Sequence, residues 1–247
     1  MPPQQRYVSR ELTHFVGRVL PDDEARYGLL VDIMKSGWLT HPPHEPRPSY
    51  GEELRIKAGR LSGNEVYCAQ RVCFCDIPVA DLAIHMAKYS KFGVAFLKSF
   101  LIPQGASPVF YVARASTVDQ QGTRRDDYFD RGAADGQKLF IEVRDLLGQL
   151  SENPPSSLVG FDYDKLRLRH TAFRMLANFH VFSFMQFFDH EKDDDDRENL
   201  YMEREWRLLG NLHFALDNVC RVILPEPYAK RFRRDLSDYC GQITFAD

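Results

Sequence analysis

RVCFCDIP, residues Arg71 to Pro78, alternates across two faces and stops at a proline, which predicts a buried strand with a sharp end. Directly behind it, Leu82, His85 and Met86 stand at turn spacing, which predicts a helix over residues 79–90. A strand running into a helix sets the pattern for the rest of the chain. Upstream, Arg10 to Val16 alternates so that Leu12, His14 and Val16 share one face, and Pro21, Asp22 and Asp23 give a loop and an N-cap. A helix over Glu24 to Lys35 follows, with Leu29, Leu30, Ile33 and Met34 as its apolar stripe and Gly37 as its C-cap. His41 to Gly51 holds four prolines and reads as an extended loop.

Downstream, Phe92 to Phe96 and Pro108 to Arg114 read as a pair of strands around the loop Pro103-Gln104-Gly105, and the polar stretch 117–132 reads as a loop. Helices are expected at about 135–150 and 165–187, the second unusually aromatic, so that a helical insert spans about 133–190. The acidic run Glu191 to Glu198 precedes a strand beginning at Glu203. Val219 to Leu224 reads as a strand, Pro227 to Tyr239 as a helix and Gln242 to Phe245 as a last strand. With no internal repeat and no linker composition, the expectation is one α+β domain over residues 1–247, built on a mixed or antiparallel sheet.

Composition narrows the function classes. The chain of 247 residues has 32 basic and 35 acidic side chains, a net charge of −3, which gives no general attraction to nucleic acid or anionic lipid. No stretch approaches the roughly 18 apolar residues of a spanning helix, and the first fifteen residues lack the apolar core of a secretory signal. Five cysteines, an odd number, read as reduced thiols, so a cytoplasmic protein is expected.

Three groups of residues carry candidate chemistry. In Glu203-Arg204-Glu205-Trp206-Arg207, strand alternation would put Glu203, Glu205 and Arg207 on one face. Two carboxylates about 7 Å apart on a strand could grip a ribose hydroxyl, stabilise an oxocarbenium ion and activate a nucleophile. The alternative is a charged edge strand laced by salt bridges. His14, between Thr13 and Phe15, could bond a ribose or a carbonyl, or simply be a satisfied structural residue. Tyr89, with His85, Lys88 and Lys91, could stack on a planar ring, although cations at a helix end need no ligand to explain them. Cys73 and Cys75 with His85 lack the four-ligand spacing of a zinc site, so no metal is expected. Asp193 to Asp196 lacks the alternation of a calcium loop.

The blocks ELTHFVGR, YGLLVDIMKSGWL, VCFCDIPVADLAIHMAKYSKFGVAFLKSFL, PVFYV and NLYMEREWRLLG, in this order, resemble the AbiGi family of abortive phage-resistance proteins. Ser90 stands where glycine is expected. The resemblance implies anti-phage defence, with the chain as the antitoxin-like member of a two-gene system whose partner is a protein toxin. A more distant resemblance concerns mechanism: a first-strand histidine, a helix ending in Ile33, Gly37 and Leu39, and a late E-x-E are similar to ADP-ribosyltransferase-type folds. That resemblance implies an NAD-dependent transferase, with His14, Phe74 and Tyr89 around the cofactor, Glu205 as catalytic glutamate and Glu203 as its partner. The acceptor would be protein or nucleic acid, and no membrane is involved.

Overall fold

A computed structural model describes residues 9–41, 44, 54–158, 160–193, 196 and 198–246, so most of the proline-rich stretch and part of the aspartate run lie outside the described residues. The chain is a mixed α+β protein that separates into two compact units: residues 1–53, 69–109 and 191–247 form the first, and 54–68 with 110–190 the second.

The first unit is organised by a seven-stranded sheet. In chain order its strands are β1 (Glu11–Phe15), β2 (Arg71–Cys75), β3 (Gly93–Leu97), β4 (Ser107–Pro108), β5 (Glu205–Leu209), β6 (Val219–Leu224) and β7 (Gln242–Phe245). They lie in the order β7-β6-β3-β1-β2-β5-β4, with β6 and β7 parallel and the other pairs antiparallel, so the sheet is mixed. The central strands are Val-, Cys- and Phe-rich because both faces are covered. One face buries Leu12, Val72, Phe74, Val94 and Phe96 against the helix Asp23–Ser36, whose Tyr27, Leu30, Ile33 and Met34 complete the core.

That helix starts and stops where the sequence places its signals. Asp22 accepts the Ala25 N–H at 2.8 Å, satisfying one otherwise orphaned donor of the first turn. Gly37 ends it at φ 70°, a left-handed conformation, and a Cβ there would lie 2.7 Å from the Phe214 carbonyl oxygen. Both demands select glycine.

The second unit contains the long helix Arg125–Glu152 and the helix Tyr163–Met175, which pack on each other. Here the expectations need correction. Helix begins at Arg125, inside the stretch read as a loop, with Asp126 and Asp127 favourably placed at its positive end. The second helix stops at Met175; a π-helical turn (Leu176–Val181) and a strand (Met185–Phe188) replace the expected continuation. That strand pairs in parallel with Phe110–Ala113, so the segments Gly93–Leu97 and Phe110–Ala113 are not partners of one another. Aromatic and branched side chains suit a half-buried ladder as well as a helix, and Phe187 and Met185 gain a core with Leu61, Val66, Tyr67 and Val112. Among the described residues, no helix is long and apolar enough to cross a membrane.

Candidate functional site

At the ends of β1, β2 and β5, in the first unit, lies a cavity of about 260 Å³. All five site candidates, His14, Phe74, Tyr89, Glu203 and Glu205, line it. Strand register brings the elements that carry them together. Antiparallel pairing sets Thr13, the residue before His14, and Glu205 against the same Cys75 from its two sides, so β1 and β5 flank the end of β2.

His14 is 8% exposed. Its Nδ1 lies 2.8 Å from the Cys73 carbonyl oxygen. A carbonyl only accepts, so Nδ1 holds the ring proton and donates it. Nε2 is then a bare acceptor, and among the described residues it has no hydrogen-bond partner. Burial, with the neighbouring His44 edge-on at 5.5 Å, pushes the imidazole down to about 4, so it stays neutral at physiological pH. Phe74, 2% exposed, packs edge-on against His14 and Phe96 and is mainly a core residue bordering the cavity.

Glu203 departs from expectation. It closes the 3-10 turn Leu200–Glu203 instead of opening the strand, because Arg204 takes φ 44° and turns the chain before β5 begins at Glu205. A non-glycine residue in that region is strained, and such strain gathers where a side chain must be aimed. Here it aims Glu203 at the end of the helix Ala83–Lys88: Lys88 Nζ donates to its Oε1 at 2.6 Å, and the Tyr89 hydroxyl donates to the same oxygen. Burial first, and then the Glu203 charge, raises the Tyr89 phenol well above its ordinary value, so it remains a donor. The Arg18 guanidinium sits 5.0 Å over the Tyr89 ring.

Glu205 and Arg207 do share a face, two residues apart on β5. Arg207 Nε and Nη2 donate to the two carboxylate oxygens at 3.0 and 2.8 Å, a bidentate pair whose side chains are 9% and 3% exposed. Burial alone would raise the carboxyl; the guanidinium charge and hydrogen bonds, with the Cys73 thiol, outweigh it and hold Glu205 low and ionised. The Cys73 thiol is itself pushed up to about 12, chiefly by burial and then by Glu205, so it keeps its proton at neutral pH.

Sequence reading missed Arg18 and the placement of His85, both on the cavity wall. Nothing marks Arg18 except its place just past the end of β1, after Gly17. Among the described residues, no group of three or more His, Cys, Asp or Glu is set to hold a metal ion. A charged cluster of the second unit is structural: Asp130 accepts from the Ser62 N–H, the Ser62 hydroxyl and Arg60 Nε, while Arg60 also reaches Asp127.

Compared with known proteins, residues 64–237 match the family described as "Putative abortive phage resistance protein AbiGi, antitoxin". No curated protein and no solved structure matches the chain.

Proposed function

The chain belongs to the AbiGi family of abortive phage-resistance proteins, and from that premise we propose that it is the antitoxin of a two-gene defence system, acting by binding a protein toxin. The single observation that carries this reading is the family match over residues 64–237 of 247. The second unit adds support. Its helices leave Leu139, Leu146, Leu168, Phe173 and Met175 more than half exposed, apolar side chains that a protein partner would cover. The test is co-expression with the product of the adjacent gene in a host that the toxin arrests. Growth restored by this chain, together with co-purification of the two proteins, supports the reading; arrest unchanged, with both proteins expressed and folded, overturns it.

A second reading, NAD-dependent ADP-ribosyl transfer, is favoured by the convergence of His14, Phe74, Tyr89, Glu203 and Glu205 on one cavity. The donor set weighs against it. Both Glu205 oxygens are taken by Arg207, and Glu203 is held by Lys88 and Tyr89. The cavity, about 260 Å³, is also below the roughly 300 Å³ at which drug-sized ligand pockets begin, and a dinucleotide is larger still. The residues therefore do not fit whole NAD. Calorimetry with NAD on the wild type, Glu205→Gln and His14→Ala decides: micromolar binding lost in His14→Ala favours the transferase, and no binding to three folded proteins removes it.

A further inference from the structure

Resting on the antitoxin reading, we infer that the outward side of the helix Tyr163–Met175 is the face that docks the toxin, and that the toxin surface it enters is an apolar groove bordered by carboxylates.

Helical spacing and exposure divide this helix in two. At 3.6 residues per turn, Tyr163, His170 and Arg174 fall on one side, where Tyr163 is buried and the His170 ring packs on Phe140 of the helix Arg125–Glu152 at 5.6 Å. The opposite side carries Lys165, Leu168, Arg169, Ala172, Met175 and, at the cap, Leu176, a stripe about 120° wide. Every one of these six is exposed, Leu168 by 70%. Leu168, Ala172 and Met175 stand at i, i+4 and i+7, so they are surface neighbours and form a continuous apolar strip. A strip with that spacing is what a hydrophobic groove on a partner takes up.

Charge identifies the partner. The helix carries Lys165, Arg167, Arg169 and Arg174 against one carboxylate, Asp164, whose pairing with Arg167 at 4.0 Å is solvated and weak. Lys165, at the N-terminal end of the strip, and Arg169, along its flank, form no ion pair among the described residues. A second copy of the chain does not suit this face, because a symmetric contact would set these cations against themselves. Nor does a uniformly anionic lipid or nucleic-acid surface, because Asp135, Glu142, Asp145 and Glu152 are exposed on the adjoining helix and would repel it. A folded protein can set its carboxylates opposite Lys165 and Arg169 alone.

The experiment is calorimetry of the full chain with the adjacent-gene product at low and high salt. Wild type is compared with Lys165→Glu/Arg169→Glu, with the neutral pair Lys165→Gln/Arg169→Gln, and with Lys35→Glu/Lys230→Glu. The last pair changes the net charge as much as the first, at exposed positions of the first unit. Lys165 lies in the first turn of its helix, where glutamate is favoured, so the reversed variant keeps its fold. The expected result is toxin binding weakened about tenfold by the reversed pair at low salt, less by the neutral pair, and unchanged by Lys35→Glu/Lys230→Glu. The reversal should also remove most of the salt dependence of binding. Toxin bound equally well by wild type and the reversed variant overturns this docking face and leaves the antitoxin reading standing, as does equal weakening by the first-unit pair. Toxin binding unchanged while the reversal releases the chain from phosphatidylserine vesicles, or dissociates a homodimer, gives the face to a membrane or a second copy instead. No toxin binding by the folded wild type overturns the docking face and the antitoxin reading together.

Discussion

Replacing Arg207 by methionine keeps most of the side-chain volume on β5 and removes only the guanidinium that holds both oxygens of Glu205. The pair is buried, with side-chain exposures of 3% and 9%, so water does not take over the role. Breaking a buried pair by deleting one partner costs about 3–5 kcal/mol, because the remaining charge is left in a low-dielectric site. For a chain of this size that corresponds to a fall in Tm of about 6–20 °C. The pH dependence makes the test sharp. In the wild type the Glu205 pKa is depressed, so its contribution to stability is present above the unfolded value and is lost as pH falls through the folded one. In Arg207→Met burial dominates, the folded-state carboxyl is raised, and folding takes up a proton. The deficit should therefore be largest near pH 7 and shrink toward pH 5. The double variant Glu205→Gln/Arg207→Met should recover much of it. Urea titrations at both pH values measure this directly. A loss under about 1 kcal/mol, or one that does not change with pH, would refute the claim that the two groups form a buried, mutually dependent pair.

Other consequences are simpler. Gly37→Ala forces a left-handed φ of 70° on a residue with a Cβ that would meet the Phe214 carbonyl at 2.7 Å, so a loss of about 2 kcal/mol is expected in denaturant melts; a neutral effect would mean that the turn rearranges freely. His14 and His85 are both held down to about 4 by burial, so between the ordinary histidine value and that figure the unfolded state binds more protons. Stability should fall as pH drops through that window, by about 1.4 kcal/mol per unit for each group, and His14→Gln should reduce the slope. Leu168→Glu with Met175→Glu, at positions 70% and 54% exposed, should leave stability within about 0.5 kcal/mol while weakening toxin binding at least tenfold. Unchanged binding would place the toxin elsewhere.

Much of the first unit is legible in the sequence because its signals are local. The strand Arg71–Cys75 lies within the stretch read as a strand and ends three residues before Pro78, Val219–Leu224 and Gln242–Phe245 fall where their apolar patterns place them, and the first helix is fixed by Asp22 and Gly37. What escaped depends on distant partners. Nothing in MEREW requires a positive φ at Arg204, yet that turn moves Glu203 off the strand and onto Lys88 and Tyr89. Met185–Phe188 becomes a strand because Phe110–Ala113 pairs with it, a contact across more than seventy residues. At the site, alternation was enough to put Glu205 beside Arg207, but not to show that the pair would neutralise itself. The placing of β1 and β5 on either side of Cys75 is set by strand register, which no local spacing encodes.

The central claim, that this AbiGi family member works by binding a protein toxin, is tested most directly with purified components. The chain and the adjacent-gene product are mixed, run on a sizing column with mass determination by light scattering, and titrated by calorimetry. The account predicts a stable complex of defined stoichiometry with affinity in the nanomolar to micromolar range, about −12 to −8 kcal/mol. Two separate peaks and no heat of binding, with both proteins folded, would contradict it.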